Sequence, residues 1–115
     1  MKSSRESETP TEQLAALEQL VLLALLSLDG ADAYGMNIRQ VLREHAGRDV
    51  SVPTVYSALD RLESKGFVAS RLGEATPERG GRAKRLFRVE PAGVRALRDV
   101  RKTLKAMWQL GGLER

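Results

Sequence analysis

The chain contains no cysteine and a single histidine, His45. Without cysteine it has neither a disulfide framework nor a thiolate metal site, and a reducing compartment fits this usage. His45 stands near a helix end with no partner motif, and neither a P-loop nor a dinucleotide fingerprint occurs. The scattered Asp and Glu residues form no paired arrangement. These absences argue against an enzyme, a metal centre or a cofactor. Long hydrophobic runs are missing as well. The longest, Leu20 to Leu26, is broken by Ser27 and stopped by Asp29-Gly30, far short of the ~20 residues that span a bilayer. The first ten residues, MKSSRESETP, lack the apolar core of a signal peptide. The expectation is a cytoplasmic protein without a membrane partner.

The 115 residues suit one domain with one modest core. The net charge of +4 is unevenly placed: residues 1–50 hold 5 Lys/Arg against 8 Asp/Glu, whereas residues 51–105 hold 13 against 6. A local cationic excess supplies the salt-dependent, sequence-blind part of nucleic-acid affinity; it also describes an ordinary solvated surface.

Residues 1–10, rich in Ser, Glu and Thr, are expected to be a disordered tail. Thr11 is the expected N-cap of a first helix, with Leu14 making its first core contact. Apolar residues at 14, 17, 20, 21, 24, 25 and 28 have helical spacing, and Leu22, Leu23 and Leu26 fill the other side. A helix apolar nearly all round needs cover nearly all round, which a second chain would complete. A second helix is predicted from about Ala33 to Ala46, capped by Asp32. A third starts after Ser51, a strong N-cap with Pro53 tolerated in the first turn, and ends before Gly66. Phe67–Leu72 and Ala83–Val89 read as strands around a Gly- and Pro-containing tip, with Phe87 and Val89 facing the core. Glu90-Pro91 opens a last helix reaching about Leu110, and Gly111-Gly112 ends it.

On a helical wheel Val52, Val55, Leu59 and Leu62 face the core, while Pro53, Ser57, Arg61 and Ser64 lie opposite, with Thr54 and Asp60 at the edges. Small residues, hydroxyls and one long cation make a face suited to a DNA major groove, where Arg61 can pair bidentately with guanine. An ordinary amphipathic helix has the same wheel. The order helix, strand, basic hairpin tip, strand separates the two readings, because it is that of a winged helix-turn-helix. Arg79, Arg82, Lys84 and Arg85 on the hairpin suit phosphate or minor-groove contact, and a solvated turn is the plainer alternative. Tyr56 flanks the apolar face, as a core ring or as a hydroxyl offered to the backbone. No exposed aromatic platform supports an RNA-binding sheet.

These residues resemble the PadR family of bacterial winged-helix transcription regulators. The resemblance rests on Leu17-Glu18 and the VLLALL run, on Ala33-Tyr34-Gly35-Met36 with Ile38, and on Val50-Ser51 with Pro53 to Leu59. It continues through Arg61-Leu62-Glu63, Gly66-Phe67-Val68, Gly81-Arg82, Lys84 to Phe87 and Pro91 to Gly93. It covers residues 14–100. Pro53, Ser57 and Glu90 depart from the family's usual Gly, Pro and Thr, and Glu90 cannot cap as Thr does. The resemblance implies a mainly α fold with a small β hairpin: a winged helix-turn-helix over residues 11–90 and a C-terminal dimerisation helix over 91–115, as in the family's short branch. It implies a homodimer that binds double-stranded DNA at a two-fold-related operator, read as a repressor acting at the nucleoid. The DNA-binding residues would be Ser51, Pro53, Thr54, Tyr56, Ser57, Arg61, Lys65, Arg79, Arg82, Lys84 and Arg85. The dimer interface would use Leu17, Val21, Leu97, Val100, Leu104, Met107 and Trp108. The spacing of Leu97, Val100, Leu104 and Met107 independently forms a narrow seam, which suits either a partner helix or the chain's own core. Met107 and Trp108 are also the candidates for holding a small-molecule effector, with a plain interface anchor as the other reading of Trp108. The competing function is a winged-helix protein-interaction module without sequence-specific DNA binding.

Overall fold

The computed structural model describes residues 14–73 and 83–114. The predicted tail, the Thr11 cap and the hairpin tip with Arg79 and Arg82 lie outside these residues. In chain order the elements are α1 (Ala16–Leu26), a 3-10 turn (Gly30–Asp32), α2 (Gly35–Ala46), α3 (Val52–Ser64), β1 (Val68–Leu72), β2 (Arg85–Val89) and α4 (Pro91–Leu110).

Three helices close around one core: α2 and α3 each turn one apolar stripe inward, and α1, apolar nearly all round, buries one side of its surface against them. Val21, Leu22 and Leu25 of α1 meet Ile38 and Leu42 of α2 and Val55, Ala58, Leu59 and Leu62 of α3, all buried. Each fully buried Leu, Ile or Val contributes about 1.5–3 kcal/mol relative to an exposed one. Helix α1 starts at Ala16, and Ala15 rather than Thr11 takes the N-cap, because the Glu18 carboxylate accepts the Ala15 backbone N–H at 3.1 Å. Leu14, the expected first core contact, is buried.

The predicted start of α2 is corrected by two residues. Ala33 does not enter the helix, because its carbonyl accepts the N–H of Phe87 at 2.9 Å and is spent on joining β2. Asp32 belongs to the preceding 3-10 turn rather than capping α2, and Tyr34 takes the cap position. Gly47, at φ 63°, ends α2 in the left-handed conformation that glycine adopts without steric cost. The α2–α3 turn is braced from the side: Arg39 Nε donates to the Val50 carbonyl at 2.7 Å, and Arg43 pairs with Asp49 at 3.0 Å. Ser51 caps α3 as predicted, its hydroxyl accepting the Thr54 N–H at 3.2 Å.

Strands β1 and β2 pair antiparallel, with Val68 opposite Val89 and Ser70 opposite Phe87. Phe87 is buried as expected, Val89 is half-buried, and Leu86 on the other face is buried too, with Gly73 lying against its side chain. Helix α4 starts at Pro91 although Glu90 makes no side-chain cap; the Glu90 carboxylate instead accepts from Arg88 Nε at 2.8 Å. Gly93, Ala96 and Val100 bury the first half of α4, and every residue from 101 to 114 is exposed.

Candidate nucleic-acid interface

The outward face of α3 is built by exclusion. With Val55, Ala58, Leu59 and Leu62 turned inward, Pro53, Thr54, Ser57, Asp60, Arg61 and Ser64 are left exposed. The N-terminal half of this face is small. Ser51 and Thr54 share a hydroxyl–hydroxyl bond of 2.8 Å, and Pro53 and Ser57 stand beside them. Both hydroxyls keep lone pairs and contact area for an approaching phosphate or base edge.

The charges of α3 are tied along its two edges. On one edge, Arg61 Nε donates to Glu18 Oε2 and Lys65 Nζ to Glu18 Oε1, each at 2.8 Å. Glu18 is only 2% exposed, and no other charged side chain is buried among the described residues. Burial alone would raise its pKa, but hydrogen bonds from Lys65, then Arg61, then the Ala15 N–H outweigh that and hold the carboxyl below its ordinary value. On the other edge Arg85, at the start of β2, reaches Glu63 at 2.7 Å and Asp60 at 3.4 Å. Three predicted DNA contacts thus also brace α3: Arg61 and Lys65 against α1, and Arg85 against the hairpin.

The Tyr56 ring is half-buried and packs against the core, as both of its readings require. Its ring lies 6.1 Å from that of Phe87 and directly over Gly35, where an added Cβ would come within 2.4 Å of it. The Tyr34-Gly35 pair and the tyrosine of α3, read as separate motifs in the sequence, are two halves of one contact. Beside it Lys84 sits 4.3 Å over the Tyr34 ring. Lys84, Tyr34, Asn37, Arg39 and Arg43 line one groove along α2. Arg39 and Arg43 were not among the predicted site residues, since a wheel of α2 alone does not show that the base of the hairpin lies beside them. Asp49, fully exposed, has its pKa lowered by the hydrogen bond from Arg43.

An open apolar groove of about 640 Å³ lies between α1 and α4. Leu23, Leu26, Leu97, Leu104 and Trp108 line it, with Arg98, Arg101 and Lys105 at its margin. Of the predicted interface residues, Val21 and Val100 are buried in the chain's own core, Leu17 and Leu97 pack partly against it, and Leu104, Met107 and Trp108 are about half exposed. Leu23 and Leu26 are equally exposed and complete this apolar face. The sequence placed Leu22, Leu23 and Leu26 on the far side of α1; the core takes Leu22 and leaves Leu23 and Leu26 out. Trp108 lines the groove; Met107, the other effector candidate, is not among its lining residues.

Comparison with known proteins agrees with this architecture. Residues 22–99 match the Transcriptional regulator PadR-like family. The transcriptional regulator Rv3488 of Mycobacterium tuberculosis is 36% identical over 83 residues, covering 70% of this chain and 73% of that protein. A PadR family transcriptional regulator from Eggerthella lenta is 30% identical with a TM-score of 0.65, over 84% of this chain and 82% of that one. A PadR-like transcription factor from Bacteroides fragilis, 22% identical, superposes with a TM-score of 0.70 over 96% and 97% of the two chains. With the helical core, the paired strands behind α3 and the matched residues all in agreement, the chain belongs to the PadR-like family of winged-helix, DNA-binding transcriptional regulators.

Proposed function

We propose that this protein is a homodimeric repressor that reads a two-fold-related operator with α3. The observation that carries the reading is the exposed, sterically small N-terminal half of α3. Ser51, Pro53, Thr54 and Ser57 are all exposed there, and the cations of the α2 groove and the hairpin base lie nearby. Small side chains allow close approach to base edges, while the surrounding cations supply sequence-blind affinity for phosphate. Arg61 contributes to readout from its anchored position on Glu18, with half of its side chain exposed. Lys84 and the hairpin residues Arg79 and Arg82 contact the flanking backbone.

The dimer supports the two-fold readout. The apolar face of Leu23, Leu26, Leu104, Met107 and Trp108 is left exposed by the other described residues, and a large exposed apolar patch marks an interaction surface. A second copy seats its own α4 there. The groove at this face, of the size that binds small molecules, is where an effector would bind against Trp108.

The test pairs hydrodynamic sizing with duplex binding. The wild-type chain is expected to run as a dimer, to retard the DNA upstream of its own gene, and to lose that binding steeply with salt. Leu104→Glu places a charge on the exposed face without touching the core, and is expected to give a folded monomer with weakened operator binding. A wild-type monomer that gives no retardation at low salt would instead establish the protein-interaction module.

A further inference from the structure

We infer that Glu18 is a specificity-determining residue that acts without touching DNA: it withholds the two cations of the recognition helix from phosphates. This rests on the DNA-binding reading above. Arg61 and Lys65 are the only cations in the α3 segment and its C-terminal cap, residues 51–65. Both reach the same buried carboxylate at 2.8 Å, one on each oxygen. Glu18 itself is fixed: it sits in the first turn of α1, closes on the Ala15 N–H, and belongs to the helix that supplies Val21, Leu22 and Leu25 to the core. The cations lie across the boundary between core and solvent, with side-chain exposures of 52% and 32%.

This arrangement has a consequence for selectivity. A long cation held only by solvent would follow whichever phosphate is nearest, adding equal affinity for every duplex. A cation whose Nε is bonded to an immobile carboxylate has a short radius of action and can act only where the DNA presents the right group. Glu18 also neutralises one positive charge beside the readout face, which lowers sequence-blind attraction. The carboxylate is supplied by α1, outside the recognition helix.

The experiment uses the full chain and two duplexes: one selected from a random library by the wild-type protein, and one unrelated. Glu18→Gln keeps the shape of the side chain and removes its charge. On the unrelated duplex its salt dependence is expected to steepen by about one unit in the log–log slope, the signature of one further phosphate contact, and its preference for the selected duplex to narrow by roughly threefold or more. An unchanged slope, or a parallel weakening on both duplexes with the preference intact, would show that Glu18 only supports the fold. Arg61→Gln gives an independent reading that does not require the Glu18 variant to fold. On the unrelated duplex it is expected to leave the wild-type slope unchanged. A slope shallower by about one would mean that Arg61 already neutralises a phosphate, and would overturn the inference. Should the wild-type protein select no duplex at all, the DNA-binding reading fails first and takes this inference with it.

Discussion

Adding one methyl group at Gly93 is expected to destabilise the protein, although the position is helical and alanine is the better helix former. A Cβ built at Gly93 lies 2.5 Å from the Phe67 carbonyl oxygen and 3.0 Å from Val89 Cγ1. An ordinary C···O contact needs about 3.3 Å, so α4 and the start of β1 must separate by roughly 0.8 Å. The Phe67 carbonyl cannot simply turn away, because it accepts the Glu90 N–H at 2.8 Å, the bond that seats the start of α4. Overpacking of this kind costs about 1–3 kcal/mol. Straining the Glu90 bond adds about 0.5–1.5 kcal/mol, and the gain in helix propensity returns at most about 1 kcal/mol. The net loss is about 0.5–3.5 kcal/mol, or a fall in Tm from about 2 °C to more than 10 °C for a domain of this size. Gly111→Ala is the control: Gly111 has φ −76°, and its nearest new contact, at 3.4 Å, is an ordinary one, so no loss is expected. Thermal melts of both variants and the wild type at equal protomer concentration decide the matter, since oligomerisation makes Tm concentration-dependent. A Gly93→Ala protein that melts with the wild type would refute the claim that close backbone approach sets the α4 junction.

Gly35→Ala is expected to cost about 1–3 kcal/mol by driving the Tyr56 ring off its seat; urea midpoints should show the loss partly relieved by adding Tyr56→Leu, and an additive double variant would contradict the contact. Ser51→Ala removes the α3 cap and is expected to cost about 0.5–2 kcal/mol, read as a lower midpoint with an unchanged m-value. Glu18 has a folded pKa below its unfolded one, so its contribution is fully present above the ordinary carboxylate pKa of about 4.3 and is lost as pH falls through the lowered value. Acid titrations of wild type and Glu18→Gln, followed by circular dichroism, should therefore differ in slope below about pH 4.5, and parallel curves would remove Glu18 from the acid response.

Much of the fold was legible because its signals are local. The Ser51 cap, the Pro53 turn, Gly47 at the end of α2 and Gly66 after α3 depend only on backbone geometry within a few residues. The start of α2 was misread because Phe87, more than fifty residues away, claims the Ala33 carbonyl. Glu18 had one visible signal, a carboxylate within the buried stripe of Leu14, Val21 and Leu25. Its partners, 43 and 47 residues on, could not be read from any period.

The order of elements, the inward and outward sides of α3 and the cationic character of the second half were determined by the chain's own residues, since capping, periodicity and charge are properties of short segments. Only the tertiary structure decided which of those residues act as supports. It set Arg61 and Lys65 on a carboxylate from another helix, Arg85 on two acids of α3, and Tyr56 on a glycine of α2. It also left Leu23 and Leu26 outside the core that took Leu22 and Leu25. Such pairings depend on where packed helices bring distant side chains, and burial makes the Glu18 carboxylate the most costly of them to leave unmatched.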